Sequence, residues 1–480
     1  MVNPLSVSVR LDVAEDTMAT TIEETTLDAF DDQLHGDVLQ PGEDGYDDAR
    51  TLWNAMIDKK PKAIARCTGT ADVIAAVEFA RDLDLPLAVK GGGHNVAGNA
   101  LCDDGLVIDL SSMNAVRVDP RAQRARVQGG ATMGDLDHET QAFGLATTGG
   151  IVSSTGVAGL TLGGGLGYLA RKYGLAQDNV RSMDVVTADG ELVRASETEN
   201  PELFWGMLGG GGNFGIATSF EFDLHQVGPE VLAGGLRYPY ESASDVLRFY
   251  RDFMRDAPDE VQCYAGFNRG SAATNHPKEL HGKTYVGVSL FYAGDIEKGR
   301  EALRPLREFG DPIADTVQPM PYTVFQRSLD DIQREGHRAY WKSHVFDELS
   351  DEAIDTIVER AEPIPTPFTQ VFFEWMEGAI TREDSDATAF PHRDASVSFT
   401  IASKWADPAL DDELIGWTRE FFEATAPYAS DDVYVNYLSE DEQNRAKAAY
   451  GDHYDRLVDL KNEWDPENLF SMNQNIEPTT

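Results

Sequence analysis

From residue 63 onward, short apolar runs alternate with amphipathic stretches. Residues 63–67 and 87–90 have the length and the Ala/Ile/Leu/Val content of strands. Between them, 70–83 repeats its apolar positions at helical spacing and opens on Thr70, a helix-capping residue type. Residues 106–109 form a third apolar run, and 115–118 and 124–128 alternate as strands do. Residues 132–143 predict a helix that stops at Gly144. The runs 183–187 and 192–195 flank Asp189-Gly190, a tight hairpin signal. A short helix at 202–208 and a strand at 216–224 follow. Upstream, 27–34 reads as a helix ending near Gly36, and 49–57 as a second one.

Beyond Gly228-Pro229 the texture changes. Helices are predicted at 243–254, 296–306, 351–360 and 411–424. They alternate with strands at 232–238, 262–268, 285–292, 369–375 and 396–401. This is α+β order, an antiparallel sheet under helices. A last helix at 450–461 leads into an irregular end, 464–478. Between Gly144 and Gly215, glycine recurs among Val, Leu, Ile and Tyr. A flexible linker would not carry those apolar residues, so the segment packs while leaving its backbone open to close approach.

Composition narrows the function classes. A chain of 480 residues predicts two domains. Asp and Glu total 82 against 40 Lys and Arg, a net charge of −42 spread along the chain. A field of that sign repels nucleic-acid phosphates and anionic lipid, so neither is expected as a partner. No apolar run reaches the roughly 18 residues of a membrane span. Of the basic residues only 12 are Lys and 28 are Arg. A Lys-poor, Asp-rich chain resembles proteins of salt-loving archaea, where molar salt cuts the screening length to about 3 Å. Cys67, Cys102 and Cys263 are too few for a disulfide framework, which points to a reducing, cytoplasmic setting. Residues 1–26 lack the features of a signal peptide and read as a lead-in, with Met18 as an alternative start.

Several motifs carry no chemistry. Gly210-x-Gly212-x-x-Gly215 has dinucleotide spacing, but a helix precedes it and a strand follows, the reverse of the order such a site needs. Gly282-Lys283-Thr284 lacks the earlier glycine of a phosphate loop. His276 with His281, and His337 with His344, lack metal-ligand spacing and read as stray surface histidines, so no metal is expected. The informative stretch is Lys90–Asn95. A strand runs into Gly91-Gly92-Gly93, then His94 and Asn95, so consecutive N–H groups can turn inward as an anion-binding nest.

KGGGHNVAGNALCDDGLVIDLSSMN, which contains that nest, resembles the flavin pyrophosphate loop of the FAD-linked oxidases typified by vanillyl-alcohol oxidase, in their berberine-bridge-enzyme-like branch. Three more blocks agree in order: 147–196, ELFWGMLGGGGNFGIATSFEFDL and, at the end, YVNYLSEDEQNRAKAAYGDHYDRLVDLKNEWDPENLFSMNQNIEP. The resemblance implies a two-subdomain FAD-binding domain over 27–228, a substrate domain over 229–449, and a segment 450–480 that returns to complete the first. It implies FAD, linked covalently through His94. Many relatives add a second link through a cysteine, and here Val152 stands at that position, which implies a single link. Further cofactor contacts implied are Thr148, Gly149, Ser154, Thr155, Gly159, Leu160, Thr161, Gly215, Ile216, Asn473, Gln474 and Asn475, beside Gly91, Gly92, Gly93 and Asn95.

On the substrate side, the YxNY stretch of such relatives aligns with Tyr434 and Tyr437, one of which is expected near the reacting carbon; in some relatives a charged neighbour lowers that tyrosine's pKa. On a strand the two would face opposite sides, and Tyr434 is preferred. Gln370, Phe372 and Glu374 share one face of a predicted strand, so Glu374 is either a base or solvent-facing. His392 and Arg393 read as structural. Thr155 falls where relatives control oxygen access, and being close to Val in volume it implies an open route. The expected activity is oxidation of an alcohol or amine carbon of a small molecule, a sugar or secondary metabolite, with oxygen as acceptor. A dehydrogenase using another acceptor and a flavin-scaffold binding protein are the alternatives. Oligomeric state stays open. The charge gives one direct expectation: the thermal unfolding midpoint rises steeply with KCl up to roughly molar concentration. A midpoint flat down to low salt would remove the halophilic reading.

Overall fold

The computed structural model describes residues 24–274 and 276–479, so most of the lead-in expected at 1–26 lies outside the described residues. Three large sheets organise the described residues, beside a two-stranded pairing of Leu145–Ala146 with His225–Gln226. The first contains β1 (Asp37–Leu39), β2 (Ala63–Arg66), β3 (Leu87–Lys90) and β4 (Leu106–Asp109) in the order β1-β2-β4-β3. β2 and β3 pair parallel to β4, which requires the crossover helix Thr70–Asp82. β4 is buried along its whole length, as a strand covered on both faces must be. The Thr70 cap is not formed. Gly69 flanks the helix, and the Asp72 carboxylate instead accepts from the N–H groups of His35, Gly36 and Thr68.

The second sheet is antiparallel. It contains β5 (Val116–Asp119), β6 (Arg124–Gln128), β7 (Val180–Val186), β8 (Leu192–Ser196) and β9 (Ile216–Asp223), in the order β5-β6-β9-β7-β8. β7 and β8 form the hairpin around Asp189-Gly190, where Gly190 takes φ +79°. Helix Met133–Gln141 starts at a complete capping box between Thr132 and Asp135.

The third sheet is also antiparallel. Its main strands are β10 (Glu230–Pro239), β11 (Val261–Arg269), β12 (Thr284–Tyr292), β13 (Arg338–Phe346), β14 (Gln370–Trp375) and β15 (Val397–Trp405), in the order β10-β12-β11-β14-β15-β13. Strict alternation divides its faces. Val371, Phe373, Trp375, Val397, Phe399 and Ile401 join the core under helices Ala243–Asp256, Asp351–Arg360 and Asp411–Thr425. Gln370, Phe372 and Glu374 face the other way, toward the first two sheets.

The predicted helix at 49–57 is not there. One turn, Tyr46–Ala49, gives way to irregular chain, because distant partners claim its polar groups. Trp53 Nε1 donates to Gln333 O (2.6 Å), and Asn54 Nδ2 donates to Val96 O and Ala339 O. The helix predicted at 450–461 is split by Gly451 into Ala446–Tyr450 and Tyr454–Trp464.

The chain's end packs on the second sheet's side, where Ala446, Tyr450, Leu457, Leu460 and Ile476 join its core. A buried ion pair fixes it. Lys461 Nζ donates to Asp465 Oδ2 (2.6 Å), Asn213 O (2.8 Å) and Phe470 O (3.1 Å), with both charged side chains fully buried. Asp465 also accepts from the N–H groups of Leu469 and Phe470. Replacing Lys461 by Met leaves a buried carboxylate without its cation and is expected to cost about 3–5 kcal/mol. Thermal melts of Lys461→Met and of Lys461→Met/Asp465→Asn check this: the double variant should melt above the single one.

Candidate functional site

A cavity of about 800 Å³ runs between the third sheet and the other two. Its first wall is the loop that leaves β3 at the C-terminal edge of the parallel strands, where open α/β sheets place their ligands. Gly93 turns the loop at φ +68°. Gly92 lies against Gly156, so close that a Cβ on Gly92 would sit 2.3 Å from the Gly156 nitrogen. That contact brings His94 to residues 153–156. Its Nε2 shares a 2.8 Å hydrogen bond with Ser154 Oγ, and its Nδ1 lies 3.5 Å from Thr155 Oγ1. The imidazole stacks on Trp53 at 5.3 Å. Burial, aided by the Lys404 charge, pushes its pKa down to about 3, so the ring is neutral. Lys404 itself lies 4.4 Å over Trp53 and donates to the carbonyls of Ile332 and Arg334. Burial brings its pKa down to about 7.

Of the residues expected at a cofactor, Gly91, Gly92, Gly93, His94, Asn95, Thr155, Gly159, Leu160, Gly215, Ile216, Asn473 and Gln474 line the cavity. Ser154 reaches it through His94. Thr148 and Thr161 are buried behind the lining, with hydroxyls that find no partner, and the Asn475 Oδ1 is likewise unpartnered. Gly149 packs on Met133. Sequence reasoning missed Trp53, Asn213 and Tyr450 on the lining. The helix–loop–strand order around Gly210-x-Gly212-x-x-Gly215 is as expected, and Gly211 and Gly212 face open space.

The opposite wall is the third sheet, where the tyrosine reading needs correction. Val435–Tyr437 is a single 3-10 turn, not a strand, so the two-sided alternation does not apply. Tyr434 is the structural one. It is buried, and its hydroxyl accepts from the N–H groups of Gly165 (3.0 Å) and Leu166 (3.3 Å) and from Asn436 Nδ2 (2.9 Å). Tyr437 lines the cavity and donates its hydroxyl proton to Glu374 Oε2 at 2.7 Å. Its pKa is not lowered by a charged neighbour: burial raises it well above 10, and the Glu374 charge raises it further.

Glu374 is buried, not solvent-facing, and burial pushes its pKa up to about 7 against the opposing hydrogen bond from Tyr437. Beside it in register, Tyr264 reaches the cavity with a buried hydroxyl that makes no hydrogen bond of good geometry. The histidines read as stray surface residues are otherwise placed. His344 is buried and stacked on Phe422, and His276 is half-buried on the cavity wall. His392 bonds Asp432 and Ala449 O, and Arg393 forms a bidentate pair with Asp178, both structural. Among the described residues no His, Cys, Asp or Glu cluster could hold a metal ion.

Comparison with known proteins fits this layout. The FAD binding domain family matches residues 61–196, and the "Berberine and berberine like" family matches 433–477. An FAD-linked oxidoreductase of Dictyostelium discoideum is 30% identical over 457 residues, covering 94% of this chain and 97% of that protein. The crystal structure of 6-hydroxy-D-nicotine oxidase from Arthrobacter nicotinovorans superposes with a TM-score of 0.83 at 27% identity, covering 92% of this chain and 98% of that one. Xylooligosaccharide oxidase from Myceliophthora thermophila, in complex with xylobiose, gives 0.83 at 25% identity, covering 95% and 100%. The lining suits FAD. Asn473 Oδ1 and Gln474 Nε2 are buried without partners, and a Cβ at Gly159, Gly211 or Gly212 would meet nothing within 4 Å. Polar atoms and bare backbone are thus both left for a ligand.

Proposed function

The chain belongs to the berberine-bridge-enzyme-like FAD-linked oxidoreductases, and from that premise we propose that it oxidises an alcohol or amine carbon of a small molecule, with Glu374 as base. The observation that carries this is the buried Tyr437–Glu374 pair on the cavity wall. FAD held by this lining would supply a two-electron acceptor for the substrate hydride. The proton from the adjacent O–H or N–H goes to the Tyr437 hydroxyl as that hydroxyl gives its own to Glu374. A carboxylate with a pKa near 7 is matched to this task.

The cofactor contacts are the lining residues from Gly91 to Asn95, with Thr155, Gly159, Leu160, Gly215, Ile216, Asn473 and Gln474. A single covalent link runs from His94. The 2.8 Å bond to Ser154 engages Nε2, while the 3.5 Å separation from Thr155 leaves Nδ1 as the freer nucleophile. Val152 lines the cavity with no sulfur to make a second link. Thr155 lines it too, and its small side chain supports oxygen as the acceptor, with hydrogen peroxide as product.

Base catalysis requires ionised Glu374, so kcat should rise with pH and level off above about 7, as the carboxyl loses its proton. Glu374→Gln should remove that limb and lower kcat by about 10²–10⁴-fold. Tyr437→Phe removes the relaying hydroxyl, so kcat should fall, and it removes a hydrogen bond that favours the charged form, so the remaining limb should move to higher pH. Anaerobic flavin bleaching across pH measures all three, and a pH-independent wild type would exclude Glu374 as base. Acid-precipitated protein should stay yellow, whereas His94→Ala should release all its flavin. A colourless wild-type pellet would rule out the link.

A further inference from the structure

Register fixes which side chains share the cavity face of the third sheet. One row runs Glu374–Tyr264–Ser289–Gly235, across β14, β11, β12 and β10. Two residues along β10 from Gly235 stands Arg237, paired with Gly287 and also on the cavity. Gly235 and Gly287 leave the sheet bare beside Arg237, on its side of Tyr264 and Ser289. A Cβ on either would meet nothing closer than 3.4 Å, so a flat molecule can rest there. Three strand spacings and two residues put Arg237 and Glu374 about 15 Å apart in Cα position.

The Arg237 end is polar and largely self-satisfied. Gln333 Nε2 donates to Gln370 Oε1 (2.7 Å), and Gln370 Nε2 donates to Asn268 Oδ1 (3.1 Å). Tyr285 OH shares a 2.5 Å hydrogen bond with His276 Nε2, and His276 Nδ1 shares one of 2.7 Å with Thr274. Burial and the neighbouring Arg237 charge hold that imidazole neutral, with its pKa pushed down to about 4. Arg237 shares a hydrogen bond with the Tyr285 hydroxyl but has no carboxylate beside it. Among the described half-buried arginines, only Arg237 and Arg269 lack a carboxylate partner, and Arg269 is engaged by the carbonyls of Ile364 and Pro365. In a chain with 82 acidic residues, an arginine left free of them inside a cavity is a conspicuous vacancy for an anion.

We propose that the substrate carries a carboxylate, which Arg237 binds at the end of the cavity opposite Glu374, where the reacting carbon lies. This rests on the reading of Glu374 as the chemical end. It makes the substrate an elongated organic acid whose neutral body lies along Gly235 and Gly287. Arg237 then sets specificity without touching the reacting atoms.

The probe is a biphenyl with a hydroxymethyl group at one end and a carboxylate at the other, compared with its methyl ester. Binding is read at constant salt from the change each causes in the flavin spectrum of the holoenzyme. The acid should bind with a Kd at least about tenfold below that of the ester. Arg237→Met should close that gap, and Arg237→Lys should keep part of it. Equal Kd values in the wild type, a gap that survives Arg237→Met, or no spectral change with either compound would overturn the proposal. Turnover is read separately by anaerobic bleaching. A bound acid that never bleaches the flavin would count against the oxidase reading while upholding the carboxylate site.

Discussion

Gly92 and Gly156 touch backbone to backbone, and the site is built around that contact. Each is closed to a side chain by the other: a Cβ on Gly156 would lie 2.5 Å from the Gly92 nitrogen. One belongs to the loop at the end of a parallel strand, the other to the N-cap of helix Val157–Leu162. Holding them together presses two loops from different sheets into one wall. His94 meets Ser154 and Thr155 only because of it, and Val157 N–H then reaches Ala131 O to carry the register into the second sheet. Any larger residue at either position would part the loops along the whole edge of the cavity.

The opposite wall obeys a different rule. Here the period of two decides everything: apolar residues go to the helices, and Gln370, Phe372 and Glu374 to the cavity. That alternation was legible in QVFFEW, as were the glycine nest and the Asp-Gly hairpin, because each is a local pattern. The Tyr434/Tyr437 choice was not, since a single 3-10 turn reverses facing within four residues and leaves no periodic signature. Arg237, Tyr264 and His276 were equally silent. Their roles come from pairing between strands far apart in sequence, which no stretch of one strand records. Trp53 and Asn54 mark the other limit, where hydrogen bonds to residues beyond 330 override a local helical preference.

Electrostatically the molecule is divided between its surface and its interior. Most carboxylates stand in solvent, where salt screens them. Those drawn inside behave differently according to their partners. Asp465 keeps a buried cation, and Asp178 keeps Arg393. Glu374 has only neutral hydroxyls, of Tyr437 and Ser398, and Asp137 only Gln326, and both have pKa values raised to about 7. Absence of a cation is what makes Glu374 able to gain and lose a proton near neutrality.

The Lys461 latch has a consequence for the order in which the cavity is completed. Asn213, which receives the lysine through its carbonyl, also donates to Gln474 O and accepts from the Ile476 N–H through its side chain. These bonds span about half the chain. Residues 461–476 therefore close this wall of the cavity only after the segment around Asn213 has taken its place, so the wall is a product of long-range docking and not of either segment alone.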